Sequence, residues 1–235
     1  MSQFQTMSAP RARTEVVSAF MRGVYGWMSL GLLVTAASAW YVANDAGMQQ
    51  MIFGNQMVFF GLIIGELLLV MGISTMINKL SAGAASGLFL LYSGLNGLTL
   101  SAIFLVYTQA SIVSTFFICA AMFGGMSIYG LTTKKDLTSW GSFLFMGLIG
   151  IVIASIVNIF LHSSAMHFVI SIIGVIVFTG LTAYDTQKLK YMGETAPMND
   201  ATAIRRGTIL GALTLYLDFI NLFLMLLRLF GQGRD

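Results

Sequence analysis

The stretch GTILGALTLYLDFINLFLMLLRLF (207–230) decides the fold, because it is a long apolar run that nevertheless contains Asp218 and Arg228. A charge at the centre of a bilayer costs about 2.5–3.5 kcal/mol on insertion scales. Its small and polar residues recur at spacings of three and four, which places them on one face of a helix. We call this face the polar stripe, and it must contact protein, water or a counter-ion instead of lipid. Its members are Gly207, Gly211, Thr214, Asp218, Asn221, Met225 and Arg228.

The composition excludes a soluble globular protein. Hydrophobic residues make up 57% of the 235 residues and charged residues only 9%, whereas soluble domains carry about 25% charged residues. The net charge of +3 does not indicate a nucleic-acid partner, because the Lys and Arg residues lie between apolar runs and form no basic patch. The sequence therefore predicts an all-α integral membrane protein whose main partner is the lipid bilayer, with no cofactor.

Seven apolar runs are long enough to cross about 30 Å of hydrocarbon as helices. They predict a bundle of seven transmembrane helices that covers residues 24–230. A polar amino-terminal tail (1–23) precedes this membrane domain, and a short carboxyl-terminal tail (231–235) follows it. The runs are 24–43, 57–77, 84–107, 110–131, 141–161, 167–186 and 207–230.

The first run could also be a signal peptide, because Ala37-Ser38-Ala39 resembles a cleavage site that follows an apolar core. Against this, the apolar run continues through Val42. We therefore favour an uncleaved first helix.

The basic residues predict the orientation of the bundle. Connections near Asp45, Gln109 and His162 carry no Lys or Arg, whereas the amino-terminal tail and the alternate connections carry ten. Because cytoplasmic loops are enriched in Lys and Arg, the amino terminus is predicted to be cytoplasmic and the carboxyl terminus external. The ten cations are Arg11, Arg13, Arg22, Lys79, Lys134, Lys135, Lys188, Lys190, Arg205 and Arg206.

Four ionisable residues remain at membrane depth: Glu66, Asp185, Asp218 and Arg228. Asp218 and Arg228 lie about 15 Å apart along one helix, so they cannot pair with each other. Glu66 and Arg228 both fall in the outer half, and we expect them to form an ion pair that acts as a helix clamp or as a gate. If Arg228 instead extends to the outer interface, Glu66 is expected to be protonated.

In the inner half of the bundle, we expect Asp185 and Asp218 to pair with each other. Two carboxylates in contact at low dielectric cannot both ionise, so the pair is expected to hold a proton and to change charge with pH. Fully ionised, it offers four oxygens of the type that Ca²⁺ binds, and Asn221, one turn from Asp218, could add a fifth. Two alternatives remain: Asp185 ends its helix in contact with the cytoplasm, or Asp218 is a structural, hydrogen-bonded carboxyl.

Two segments, LYLDFINLFLMLLRLFG (215–231) and AYDTQKLK (183–190), resemble the Bax inhibitor-1 family, also called the transmembrane Bax inhibitor motif (TMBIM) family. The segments TTKKDLTSWGSFLFMGLIG (132–150) and VNIF (157–160) are similar to its bacterial members. The resemblance implies a seven-helix bundle in which the last helix is central, located in the bacterial inner (cytoplasmic) membrane. It also implies a pH-sensitive Ca²⁺ leak and, in animals and plants, protection against cell death.

The resemblance carries over to particular residues. The family's aspartate pair matches Asp185 and Asp218, and its outer ion pair matches Glu66 and Arg228. Some members also have an arginine near the cytoplasmic end of the second helix that bonds to the aspartate of the sixth. In this sequence Ile77 occupies that position.

Three classes of function follow from these residues and from the resemblance, which alone implies Ca²⁺ as the ion and a AAA protease as a partner. The leading hypothesis is a pH-sensitive cation leak, with Ca²⁺ as the ion, gated by protonation of the aspartate pair. The alternative is a membrane regulator that acts by protein contact, for example on a membrane-bound AAA protease or in a stress or cell-death response. An intramembrane aspartyl protease is disfavoured, because Leu215-Tyr216-Leu217 stands where such enzymes have Gly-x-Gly before the second aspartate, so we expect no enzyme.

Overall fold

The structure, a computed structural model, describes residues 9–196 and 200–234, with side chains from residue 13 onward. In this part of the chain the backbone forms α1 (Ala9–Ala43), α2 (Ala46–Phe53), α3 (Gln56–Met76), α4 (Ala82–Leu100), α5 (Ile103–Val106), α6 (Gln109–Thr132), α7 (Thr138–Leu161), α8 (Ser164–Thr195) and α9 (Ala201–Phe230). Seven stretches are long and apolar enough to cross a membrane: α1, α3, α4 with α5, α6, α7, α8 and α9. The predicted all-α, seven-span bundle is confirmed.

Helix α9 lies at the centre of this bundle. It packs against α1, α4, α6 and α8, and 72% of its membrane-spanning window is buried, compared with 6% in α3. A helix that is apolar on nearly all sides is expected in the interior of a bundle. The central position that the family resemblance implied for the last helix is therefore confirmed, whereas α3 is peripheral and packs mainly on α4.

The polar stripe of α9 packs along α8 as far as Met225, whereas its last member, Arg228, is exposed. A Cβ atom on Gly211 would lie 2.7 Å from the Leu189 side chain of α8. Further along, Met225 fills the space left by Gly174 of α8, where a Cβ atom would come within 2.7 Å of it. Small residues thus let α8 and α9 approach closely on both sides of the polar part of the stripe.

The helices extend further than hydropathy predicted. Helix α8 continues to Thr195, so Asp185 lies inside a helix instead of closing it at residue 186. Helix α1 begins at Ala9, and Phe20 is buried in the core. Much of the stretch assigned to a polar tail is therefore part of the first helix, while residues 1–8 lie outside the described residues.

The end of the bundle that carries most of the basic residues is held together by side-chain to backbone hydrogen bonds. Lys190 Nζ donates to the carbonyl of Leu131 at 2.9 Å, in the last turn of α6. Gln187 bridges the connection between α6 and α7, because its Oε1 accepts from the Leu137 amide at 2.9 Å and its Nε2 donates to the Lys135 carbonyl at 2.8 Å. These bonds fix the part of α8 that carries Asp185.

Candidate functional site

The structure brings Asp185 of α8 and Asp218 of α9 together. Their carboxyl groups are close enough to interact directly, and both line the same cavity. Two carboxyl groups can share a hydrogen bond only when one of them carries a proton, since ionised carboxylates are acceptors only. The two aspartates expected to pair therefore lie next to each other, and Asp185 is inside a helix and not at its end; the shared proton stays a prediction.

Asp218 is the more secluded member of the pair. Only 5% of its surface is exposed, whereas Asp185 is half-buried. One carboxyl oxygen of Asp218, Oδ2, is buried and accepts no hydrogen bond from a donor group of the described residues. A buried carboxylate oxygen without a donor costs free energy, so burial of Asp218 disfavours its ionised form.

Both carboxyl groups line a cavity of ≈ 490 Å³ between α7, α8 and α9. Its polar lining also includes Ser142, Tyr184, Lys188, Thr214 and Asn221. The amide nitrogen of Asn221 donates to the Leu217 carbonyl of its own helix at 2.8 Å, which leaves its amide oxygen to the cavity. The polar stripe thus supplies Thr214, Asp218 and Asn221 to one site.

Sequence reasoning missed three polar side chains of this cavity: Ser142, Tyr184 and Lys188. Lys188 follows Asp185 by three residues, a spacing that puts two side chains on the same helix face and could have identified it. Its Nζ lies 6.0 Å from the centre of the Tyr184 ring, and it interacts electrostatically with Asp185. The Tyr184 ring occupies space that Gly141 of α7 leaves open, since a Cβ atom there would collide with it.

The cavity supplies oxygen ligands but no closed metal site. Two carboxylates and the Asn221 amide give fewer oxygens than the 6–8 that Ca²⁺ takes. In the described part of the chain, no group of three or more His, Cys, Asp and Glu residues comes together. A Ca²⁺ ion at the aspartate pair would therefore need further ligands, such as water.

Glu66 has other partners than the expected Arg228. Its Oε2 accepts a hydrogen bond from Asn96 Nδ2 at 3.1 Å, and its Oε1 accepts one from Thr99 Oγ1 at 2.9 Å. Both donors belong to α4, on which α3 packs. The predicted Glu66–Arg228 ion pair is thus not formed in this structure, because Glu66 turns towards α4.

The hydrogen bonds of Glu66 continue through the bundle to α9. Asn96 Oδ1 accepts from the Tyr216 hydroxyl at 3.0 Å, and that hydroxyl lies 2.6 Å from Thr35 Oγ1 of α1. Tyr216 is fully buried. A continuous polar chain therefore links α1, α9, α4 and α3, which explains why Tyr216 interrupts the apolar faces of α9.

We expect Tyr216→Phe to lower the free energy of unfolding by about 1–2 kcal/mol, because it leaves the buried Asn96 oxygen without a donor. Tyr92→Phe is the matched control. Tyr92 is also buried and its ring packs 5.7 Å from that of Tyr216, but its hydroxyl makes no hydrogen bond to the described residues. Unfolding in detergent measures both variants, and equal losses would contradict the assigned role of the Tyr216 hydroxyl.

Arg228 lies near the carboxyl end of α9, and its side chain is exposed. It lines a second cavity of ≈ 440 Å³ with Tyr107 and residues of the first turns of α8. No carboxylate of residues 13–196 or 200–234 forms an ion pair with it. The structure therefore places Arg228 at the bundle surface, as in the alternative in which it extends to the interface.

Comparison with known proteins agrees with the residue-level resemblance. Residues 17–235 match the family model described as "Inhibitor of apoptosis-promoting Bax1". The chain is 59% identical to the inner membrane protein YbhL of Escherichia coli over 225 residues, which cover 96% of this chain and 95% of the relative.

Two further relatives are more distant. The chain is 51% identical to an uncharacterized protein of Borreliella burgdorferi, over 92% of this chain and 93% of the relative. It is 37% identical to an uncharacterized membrane protein of Streptococcus pyogenes, over 91% and 93% of the two chains. Because the family model covers nearly the whole chain and these relatives align over nearly their full lengths, the chain is a multi-pass inner-membrane protein that belongs to the Bax inhibitor-1 family.

Proposed function

We propose that this protein is a pH-sensitive cation leak of the inner membrane, with Ca²⁺ as the ion, gated by protonation of Asp185 and Asp218. One observation carries the proposal: the two carboxyl groups are neighbours that line one cavity between α7, α8 and α9. Family membership supports it, because the Bax inhibitor-1 fold is linked to a pH-sensitive Ca²⁺ leak and its members are not known as enzymes.

The protonation state of the pair sets the force between α8 and α9. With one shared proton, the two carboxyl groups attract each other through a hydrogen bond. With no proton, two negative charges about 4 Å apart repel by roughly 4 kcal/mol at an effective dielectric constant of about 20. Such an energy changes an equilibrium constant about a thousandfold. The repulsion either separates α8 from α9 or is relieved by a cation that enters the cavity.

Lys188 is the cation that balances the pair in this chain. Ile77, at the position where some relatives carry an arginine, is buried in the core at the end of α3. Lys188 instead lines the aspartate cavity and interacts with Asp185 from the same helix. In the proposed mechanism Lys188 stabilises the ionised form of Asp185, and an entering Ca²⁺ ion competes with it for the carboxylate.

Flux measurements on reconstituted protein test the proposal. The full chain is placed in phosphatidylethanolamine–phosphatidylglycerol vesicles that contain a Ca²⁺-sensitive dye, and vesicles without protein serve as the control. We expect Ca²⁺ entry above the control, with a rate that changes across the pH range in which the pair gains or loses a proton. A rate equal to that of the control at every pH would refute the leak.

A further inference from the structure

The second cavity lies near the carboxyl end of α9. Its lining does not include the aspartate pair and has a different chemical character. It is lined by Tyr107, Ser164, His167, Phe168, Ser171 and Arg228. Every polar side chain in this set can donate a hydrogen bond, and none is a carboxylate. Arg228 supplies a permanent positive charge, because its guanidinium stays protonated in proteins. The cavity is therefore suited to an oxyanion.

With one exception, the donors in this cavity make no side-chain hydrogen bond to the residues that the structure describes. Ser171 Oγ donates to the His167 carbonyl of its own helix at 2.8 Å. Arg228 has no carboxylate partner in the described part of the chain, because Glu66 is bonded to Asn96 and Thr99. A guanidinium at the membrane boundary without a carboxylate favours a phosphate, with which it forms paired, charge-assisted hydrogen bonds.

The position of the cavity identifies the source of that phosphate. It lies where α8 begins and α9 ends, next to Tyr107 in the turn between α5 and α6, so it is level with one edge of the membrane-spanning helices. Phe168 in its lining is 59% exposed, and it would face acyl chains beside the headgroup region. Aromatic and basic side chains are the residues that anchor proteins at this level of a bilayer.

We propose that this cavity binds the phosphate of a membrane phospholipid headgroup, with Arg228 as its main ligand and His167, Ser164 and Tyr107 as further donors. The lipid then contacts the end of α9 and the start of α8, the two helices that also carry the aspartate pair. The site does not depend on ion flux, so it stands or falls separately from the proposed leak.

Lipid retention tests this site. The full chain is purified in detergent, supplied with phosphatidylglycerol, and the bound lipid is measured by native mass spectrometry. We expect Arg228→Gln to weaken phosphatidylglycerol binding about ten- to hundredfold, the effect of one charged hydrogen-bonding ligand, and Arg228→Lys to restore part of it. Because Arg228 is exposed, the substitution leaves the core intact, and an unchanged unfolding midpoint verifies this.

Arg234→Gln is the matched control. Arg234 is also an exposed arginine near the same end of α9, but its Nη1 donates to the Phe104 carbonyl at 3.3 Å, and it does not line the cavity. We expect it to leave phosphatidylglycerol binding unchanged. Equal binding by the wild type and Arg228→Gln, or equal losses in Arg228→Gln and Arg234→Gln, would overturn the site.

Two further arms distinguish the chemistry and the source. Diacylglycerol has the same acyl chains without phosphate, and we expect it to bind equally weakly to the wild type and to Arg228→Gln. Inorganic phosphate at the concentration of the lipid should fail to displace phosphatidylglycerol. Displacement by inorganic phosphate would identify a site for a free anion and would overturn the assignment to lipid.

Discussion

Replacing Asp218 by Asn is expected to remove the pH dependence of Ca²⁺ flux while the bundle stays folded. Asn has nearly the shape of Asp, and its amide nitrogen always donates a hydrogen bond, so it imitates a permanently protonated Asp218 next to Asp185. The pair can then no longer alternate between a shared proton and mutual repulsion. The variant site also carries one negative charge fewer than the wild-type site with which to bind a cation.

The sign of the pH effect follows from competition between protons and Ca²⁺. Carboxylate ligands must be deprotonated to bind a metal. For each proton that Ca²⁺ displaces, the apparent affinity for Ca²⁺ therefore rises up to about tenfold per pH unit. In the wild type, the Ca²⁺ concentration for half-maximal flux should fall as the pH rises through the titration of the pair. In Asp218→Asn this dependence should be lost, and the flux should fall about ten- to hundredfold at the pH of maximal wild-type flux.

Asp200→Asn provides a matched control on the same helix. Asp200 is exposed and caps the amino end of α9, where its Oδ1 accepts from the Ala203 amide at 2.9 Å. Asn caps helices as well as Asp does, so this variant removes a carboxylate without weakening α9. We expect it to keep the flux and the pH profile of the wild type. A wild-type pH profile in Asp218→Asn would remove Asp218 from the gate.

The two aspartates should also behave as one unit. Because the proposed gate needs one proton shared between them, Asp185→Asn should flatten the pH profile much as Asp218→Asn does, and the double variant should lose less flux than the sum of the single losses. Additive losses would mean that Asp185 and Asp218 act independently.

The arrangement of α9 could be predicted from the sequence because two constraints act on the same residues. The spacing of Gly211, Asp218 and Met225 fixes one helix face, and the cost of a charge in lipid forces that face inward. In the structure this face meets α8 at Leu189, near Asp185 and at Gly174. The pairing of Asp185 with Asp218 followed because both residues lie at similar depth.

Depth alone did not identify the partners of Glu66. Position along a span gives the height of a residue in the membrane, but it does not give the direction in which the side chain points around the bundle. Glu66 and Arg228 were matched by height, whereas Glu66 points to Asn96 and Thr99 of α4. The spacing of three residues between Asn96 and Thr99 puts two hydrogen-bonding side chains on one face of α4, a signal that the sequence did contain.

The ends of α1 and α8 were missed for a different reason. Hydropathy reports where a helix is immersed in lipid, but backbone hydrogen bonds continue as long as the residues favour a helix. The segment between Asp185 and Thr195 contains charged and polar residues that form helices well, so α8 continues beyond the apolar run. The missed cavity residue Lys188 belongs to this extension.

Gly130→Ala is expected to destabilise the fold and to disturb the aspartate pair from outside the cavity. Gly130 lies in α6 against α8, and a Cβ atom there would collide with the Ala183 carbonyl and lie 3.0 Å from Thr186 Cβ. A backbone carbonyl cannot swing aside as the end of a side chain can, so α8 must move away. Overpacking of this kind costs about 1–3 kcal/mol.

Gly125→Ala separates this collision from the general effect of replacing glycine in α6. No atom lies within 4 Å of a Cβ atom at Gly125, so alanine should be neutral or stabilise the helix by up to about 1 kcal/mol. The unfolding midpoint in detergent should therefore fall in Gly130→Ala and stay level or rise in Gly125→Ala. Ala183 and Thr186 flank Asp185 in sequence, so Gly130→Ala should also change the pH profile of flux. Equal midpoints would show that α6 and α8 are not packed as closely as the contact at Gly130 requires.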